Sequence, residues 1–296
     1  MTETNTAGLT QKDYVGAEST LCTGCGHDGV TNHIVKTLYA NNVHPNQIVK
    51  LSGIGCSSKT TAYFLSASHG FNSIHGRMAS VATGVSSVQS QLKIIGISGD
   101  GDTASIGLSG FLHLLRRDVP MVYIIENNGV YGLTKGQFSA TADLDSVQKT
   151  GEHNLFSGFD LCRLAIEAGC RFVARSFSND GKQLQALLSA ALHHNGTAVI
   201  DVISPCITYA NHQGSTRSYD YVKEHKVSLQ ELGFISEKET APDVSNAPSD
   251  SIVVALADGS HLTLKRIGEK DHDIKDRDQA MKILRSAEFD HRMLTG

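Results

Sequence analysis

Short apolar runs recur along the chain, separated by longer mixed stretches. IIGIS (94–98) and MVYII (121–125) leave no charged position on either face. Runs this short and this apolar suit strands covered on both sides, as in a parallel sheet. They predict strands at 48–51, 93–98, 121–126, 171–175 and 197–203. The period changes between them. Val30, Ile34 and Leu38 fall on one stripe of a helix. Asp160 can cap LCRLAIEA, with Gly169 as its C′ residue. Asp180 precedes KQLQALLSAALHH, whose Leu184, Leu187, Leu188 and Leu192 share a side. Strand alternating with helix predicts an α/β fold with a doubly wound, mostly parallel sheet.

After about Lys226 the pattern shifts. APDVSNAPSDS (241–251) reads as a loop, and IVVALADGSHLTLKRI reads as a hairpin turning at Asp258-Gly259. Asp276 and Gln279 fit a capping box for a last helix. The expected division is a ligand-binding domain over 1–226 and an extension over 227–296, packed on that domain or on a partner.

Composition narrows the function. The chain has 296 residues, 40% hydrophobic and 19% charged, with a formal net charge of -4. That balance gives no reason to expect nucleic acid. No apolar run reaches the length of a membrane span, and MTETNTAGLTQKDY lacks the features of a signal peptide, so a cytoplasmic location is expected. Six cysteines (Cys22, Cys25, Cys56, Cys162, Cys170 and Cys206) then call for ligation, redox chemistry or burial rather than disulfides.

In open α/β sheets, ligands bind beyond the carboxyl ends of the strands. Four suggestive segments stand there: GIGCSSK (53–59), GDGD (99–102), NNGVYG (127–132) and SPC (204–206). Gly99 and Gly101 permit a tight turn and close backbone approach, and Asp100 offers a hard oxygen. The interval to Asn127-Asn128 holds one helix and one strand. Neighbouring strands would then present Asp100 and Asn128 to a single Mg²⁺, with a pyrophosphate sharing the ion. GDG followed by NN resembles the thiamine diphosphate enzymes. That resemblance implies a doubly wound fold of the thiamine diphosphate-binding type, and Mg²⁺ held by Asp100, Asn128 and the carbonyl of Val130.

Cys22-x-x-Cys25 alone is compatible with zinc, although no second close pair follows. Cys56 and Cys206 stand singly at strand ends. Four cysteines from separate loops can hold a four-iron cluster. Cys162 and Cys170 flank a helical stripe and read as small buried hydrophobes.

CTGCGH, GIGCSSK, HGR with ATG, GDGD, NNGVYGLTKGQ and SPC occur in that order over about 15–226. The series resembles the β subunit of the 2-oxoacid:ferredoxin oxidoreductases. The resemblance implies one 4Fe-4S cluster on Cys22, Cys25, Cys56 and Cys206, beside one thiamine diphosphate. It implies that Ile54, Gly55, Cys56 and Ser57 line the cofactor, and that His75 approaches it. Gly101, Asp102, Gly132 and Leu133 complete its cradle. Lys59 is a candidate for contact with substrate or coenzyme A. Thr23 replaces the family's usual proline, which ligates nothing. SPCITYANHQGSTRSYDYVKEHK (204–226) resembles the branch acting on 2-oxoglutarate, with Arg217 a candidate for its second carboxylate; pyruvate or another 2-oxoacid is the alternative.

The implied activity is coenzyme A-dependent oxidative decarboxylation with electrons passing to ferredoxin. The glutamate that thiamine enzymes place beside the aminopyrimidine has no motif here, so an α subunit is expected to supply it. Two other classes stay open. A cluster-free thiamine enzyme would not need the four cysteines, and a non-catalytic iron–sulfur carrier would not need Asp100 and Asn128.

Overall fold

The computed structural model describes residues 4–235, 251–255, 259–266 and 273–296. Its centre is a six-stranded sheet in the order β2-β1-β3-β4-β8-β7. The strands are β1 (Ile48–Ser52), β2 (His69–Asn72), β3 (Lys93–Gly99), β4 (Met121–Asn127), β7 (Phe172–Phe177) and β8 (Thr197–Ile203). Every neighbouring pair is parallel, so all six carboxyl ends lie at one edge of the molecule. The five strands expected from apolar runs are present. β2 is an addition: all four of its residues are exposed, and no hydrophobic pattern betrays it. A short ribbon, β5 (Val130–Tyr131) with β6 (Gln137–Phe138), stands just beyond β4.

Alternate residues of the central strands feed two cores. Ile95, Ile97, Val122 and Ile124 pack under α1 (Gly26–Ala40) and α6 (Gly181–His193), through Val30, Ile34, Leu38 and Leu184. Ile94, Tyr123 and Ile125 face the other way, toward α3 (Met78–Val88), α4 (Leu108–Arg116) and α5 (Leu161–Glu167). Burial on both faces explains why these strands show no polar alternation. The Asp160 carboxylate caps α5 by accepting the Cys162 and Arg163 N–H groups, and Gly169 ends the helix at φ +89°. Asp180 caps α6 through the Gln183 N–H.

β1 carries one buried cation. Lys50 Nζ donates to the carbonyls of Phe64 (2.6 Å) and Leu65 (2.9 Å), pinning the segment that follows the short helix α2 (Ser57–Thr60). Burial pulls its pKa down to about 8. Between that value and 10.5 the unfolded chain binds more protons than the folded one, so this group's contribution to stability rises with pH. The stability difference between wild type and Lys50→Met, read from urea midpoints, should therefore grow as pH climbs through that window. A flat difference would contradict the burial argument.

Beyond β8, α7 (Tyr219–His225) leads into β9 (Lys226–Ser228), which pairs with the C-terminal β13 (Met293–Thr295). Gly296 exchanges two backbone hydrogen bonds with Arg175 of β7. The hairpin of β11 (Ser251–Ala255) and β12 (His261–Arg266) is present, joined by an unanticipated β10 (Gln230–Ile235) into a three-stranded sheet. The turn at Asp258, the intended two-residue connection, and most of the 241–251 loop lie outside the described residues. α8 (Arg277–Phe289) is capped by Asp276, which accepts the Gln279 N–H. The capping box is only half formed, because the Gln279 side chain accepts from the Asp273 N–H instead. Among the described residues no helix is long and apolar enough to cross a membrane.

Candidate active site

Because the sheet is parallel, the loops after β1, β3, β4 and β8 converge at its carboxyl end. Asp100 follows β3 and is 1% exposed. Its Oδ1 accepts from the Asn128 N–H at 3.2 Å, and its Oδ2 accepts from the Thr141 hydroxyl at 2.5 Å and from the Ser139 hydroxyl. Burial pushes the Asp100 pKa up, against those hydrogen bonds and the Arg217 charge. Asn128 Oδ1 accepts from the Val130 N–H at 3.1 Å, and the Asn128 N–H bond to Asp100 joins this turn to the end of β3, so the three expected magnesium ligands lie together. A buried carboxylate with neutral donors around it is a chemical fit for a hard divalent cation. A small hollow opens beside this turn, with Asn128, Val130, Phe138, Asp143 and Tyr209 on its wall.

The cradle residues divide. Ser57 is buried, and its hydroxyl lies 3.1 Å from where a Cβ on Gly99 would stand, locking the 53–59 loop against GDGD. Ile54, Gly55 and Cys56 are half-buried, and Gly55 takes φ +97°. Gly101 receives the Tyr131 ring, whose hydroxyl donates to the Gly101 carbonyl. The Asp102 carboxylate accepts from the Gly76 N–H and the Ser98 hydroxyl, tying the loop after β2 to β3. Its side chain is thus occupied by the fold. The chain then widens into a π-helical turn, Asp102–Ile106, a distortion frequent at functional sites. His75 is exposed and Leu133 is 52% exposed, both short of any enclosed contact. Lys59 is half-buried and donates to Thr20 Oγ1 at 3.4 Å.

The thiols gather at the same end. Cys56 and Cys206 Sγ atoms each lie 3.6 Å from the Cβ position of Gly132. Cys25 caps α1 (Gly26–Ala40), and the next N–H, of Gly26, donates to the Pro205 carbonyl beside Cys206. The Thr208 hydroxyl stands 3.7 Å from Cys22 Sγ. Burial pushes Cys25 up to about 12, helped by the charges of Glu126 and Cys206, and raises Cys56 as well. Among the described residues no three His, Cys, Asp or Glu groups are spaced to share one ion. Cys162 and Cys170 are buried in the core, near the carbonyls of Ala174 and of Phe172 and Thr197.

Gly26 is the close-packed joint of this corner. A Cβ there would meet Pro205 N and Ser204 Oγ at 2.7 Å. Gly26→Ala should cost about 1–3 kcal/mol through overpacking and move Cys25 away from Cys206. Chemical denaturation of the iron-free chain checks the first effect; an unchanged midpoint would show that the loops yield freely.

Two buried networks escaped the sequence. Glu126, fully buried in β4, accepts from the Thr60 hydroxyl at 3.0 Å, and its pKa is pushed well up by burial. His27 Nδ1 lies 2.6 Å from Ser204 Oγ and 3.7 Å from Glu126 Oε2; burial drives the His27 pKa down to about 4, so the ring is neutral. In the second, Arg175 pairs with Asp160 at 2.6 Å and Asp201 at 2.9 Å, and Asp201 accepts from the Asn127 amide at 3.0 Å. Both carry one legible signal, an acid inside an otherwise mostly apolar strand: Glu126 in MVYIIEN and Asp201 in TAVIDVI. Arg217 is already engaged, pairing with Asp143 and donating to the Thr141 carbonyl at 2.7 Å. Its Nε is buried without a partner.

A parallel sheet with paired Asp and Asn at adjacent strand ends defines a class, and residues 53–202 match the C-terminal TPP-binding domain of thiamine pyrophosphate enzymes. The chain is 43% identical over 189 residues to the β subunit of 2-oxoacid:ferredoxin oxidoreductase 1 from Aeropyrum pernix, covering 64% of this chain and 59% of that one. It is 33% identical to the 2-oxoglutarate synthase subunit KorB of Methanocaldococcus jannaschii, covering 74% and 82%. The solved 2-oxoglutarate:ferredoxin oxidoreductase from Magnetococcus marinus, with 2-oxoglutarate, coenzyme A and succinyl-CoA bound, superposes with a TM-score of 0.77 at 26% identity, covering 97% of this chain and 84% of that one. The chain belongs to the family of 2-oxoacid:ferredoxin oxidoreductase β subunits. It spans 59% and 62% of the lengths of its Aeropyrum pernix and Saccharolobus solfataricus relatives.

Proposed function

We propose that this chain is the β subunit of a 2-oxoglutarate:ferredoxin oxidoreductase. It holds thiamine diphosphate with Mg²⁺ and one 4Fe-4S cluster. With an α subunit it oxidatively decarboxylates 2-oxoglutarate in the presence of coenzyme A, and two electrons leave for ferredoxin. The observation that carries this is the convergence of the Asp100–Asn128 pair and the Cys56–Cys206 pair at one edge of one sheet. The choice of 2-oxoglutarate rests on the KorB relatives and on the ligands bound in the Magnetococcus marinus enzyme.

When bound, thiamine diphosphate would supply an electron sink for the pair left on the 2-oxo carbon as carbon dioxide departs, and the cluster a one-electron relay. The chain's own residues do the holding. Asp100, Asn128 and the Val130 carbonyl would take Mg²⁺. Ile54, Gly55, Ser57, Gly101 and Gly132 would line the cofactor, with His75 and Leu133 at its rim. Cys22, Cys25, Cys56 and Cys206 would take iron, and Lys59 would stand at the substrate side. Residues 1–226 form the cofactor domain in this assignment, and 227–296 the extension, whose Gly296 bonds to Arg175 of β7.

Glu126 does not replace the missing aminopyrimidine glutamate. It is fully buried, enclosed between Thr60 and His27. The chain alone should therefore bind cofactors without turning over. The test is dye or ferredoxin reduction by the purified α–β protein with coenzyme A and either 2-oxoglutarate or pyruvate. A brown protein absorbing near ~400 nm with about four irons per β chain is expected, active on 2-oxoglutarate only with α present. Turnover by the single chain, or preference for pyruvate, would overturn the corresponding part.

A further inference from the structure

We infer that two buried pairs, Thr60–Glu126 and His27–Ser204, are positioning groups that seat three of the cysteine-bearing segments against the cofactor strand. The inference rests on the function proposed above and extends it to residues that touch neither iron nor substrate. Glu126 lies on β4, two residues before Asn128, and is 0% exposed. It bonds one cysteine-bearing segment and only packs against the His27 ring that serves the other two. Thr60 Oγ1 donates to its carboxyl oxygens at 3.0 Å; Thr60 ends α2, four residues after Cys56. His27 Nδ1 lies 3.7 Å from Oε2; His27 sits in α1, two residues after Cys25. The same ring nitrogen is 2.6 Å from Ser204 Oγ, and Ser204 stands two residues before Cys206.

Backbone bonds close the frame. Ser204 N–H donates to the Asn127 carbonyl at 2.8 Å, and Gly26 N–H donates to the Pro205 carbonyl at 3.0 Å. His27, Thr60, Glu126 and Ser204 are all buried, with at most 1% exposure. Polar groups enclosed so completely are high-stakes, because each lost partner leaves another unsatisfied. A carboxyl buried near the end of a mostly apolar strand is a poor choice for core stability alone. Here it stands where the segments carrying Cys25, Cys56 and Cys206 meet. Side chains that orient ligands from behind typically control metal affinity by roughly 10–100-fold.

The test uses the complete α–β protein and three hydroxyl variants. Thr60→Val keeps the side-chain shape and removes the donor. Thr60→Ser keeps the donor and removes a methyl group. Ser204→Ala removes the partner of His27. The readouts are the rate of iron release to a ferrous chelator under anaerobic conditions and the EPR spectrum of the reduced cluster. Thr60→Val and Ser204→Ala should release iron roughly tenfold or more faster and shift the EPR g-values, while Thr60→Ser behaves as wild type. Thr60→Val holding iron as wild type does would overturn the inference. So would Thr60→Ser failing as badly as valine, since packing rather than the hydrogen bond would then be at stake. Wild-type protein that carries no cluster would overturn the functional proposal and this inference with it. Iron-loaded wild type with indifferent variants would remove this inference alone.

Discussion

Cys206→Ser is expected to leave the α–β protein nearly free of iron, with loss of the visible absorption and of ferredoxin reduction, while Cys162→Ser retains the cluster. The two residues differ in position, not in chemistry. Cys206 opens a loop whose carbonyl accepts from both the Tyr209 and Ala210 N–H groups. Its sulfur shares with Cys56 the space over Gly132, and the preceding Pro205 is joined to Gly26 beside Cys25. A serine there presents a hard, protonated oxygen to a site that selects soft thiolates, and three sulfurs remain where four are required. Cys162 lies 4% exposed in α5, with its thiol 3.7 Å from the Ala174 carbonyl. Serine fits that volume, and its hydroxyl finds an acceptor already in place. Iron analysis beside far-UV circular dichroism separates ligand loss from unfolding. A folded Cys206→Ser protein with its full iron, or a folded Cys162→Ser protein without it, would remove the ligand assignment.

How much of this could be read from the residues depends on how locally each feature is encoded. Strands buried on both faces announce themselves, so β1, β3, β4, β7 and β8 were legible as apolar runs, and with them the loops at their ends. β2 is exposed along its whole length, so its sequence HGFN carries no periodic signal. It exists because β1 offers a free parallel edge. The Asp100–Asn128 pair was legible because a fixed strand–helix–strand interval must bring the two positions to adjacent strands. The engagement of Arg217 by Asp143 was not, since it depends on where two loops happen to fold. The His27–Ser204 contact joins residues 177 positions apart, and only the completed sheet brings them together. What the residues did show was the anomaly: Glu126 and Asp201 place charges in strands that are otherwise mostly apolar. A charge in that setting needs partners from elsewhere in the chain, and a search for them would have led to both buried networks.

Asp100→Asn should abolish high-affinity binding of thiamine diphosphate in the presence of Mg²⁺ without unfolding the chain. The carboxylate is almost fully buried, and it accepts from the Asn128 N–H and from the hydroxyls of Ser139 and Thr141. Those donors are neutral. The nearby cation, Arg217, directs its guanidinium to Asp143 and the Thr141 carbonyl. The charge of Asp100 is thus undercompensated in the chain by itself, as the upward displacement of its pKa by burial records. A divalent ion would supply the missing compensation. An asparagine keeps the shape and one carbonyl oxygen but withdraws the charge, and removing one side of a buried charge pair typically costs about 2–5 kcal/mol. A loss of about 3 kcal/mol corresponds to roughly 100-fold in affinity. The same substitution removes an unfavourable buried charge from the cofactor-free chain, and the Ser139 and Thr141 hydroxyls can rotate to accept from the new amide. Affinity and stability should therefore move in opposite directions. At neutral pH the cofactor-free variant should melt no lower than wild type, and added Mg²⁺ with thiamine diphosphate should raise the melting temperature of wild type alone. Isothermal titration gives the affinities. If the variant binds thiamine diphosphate as tightly as wild type in the same Mg²⁺ concentration, the metal is not held at the end of β3.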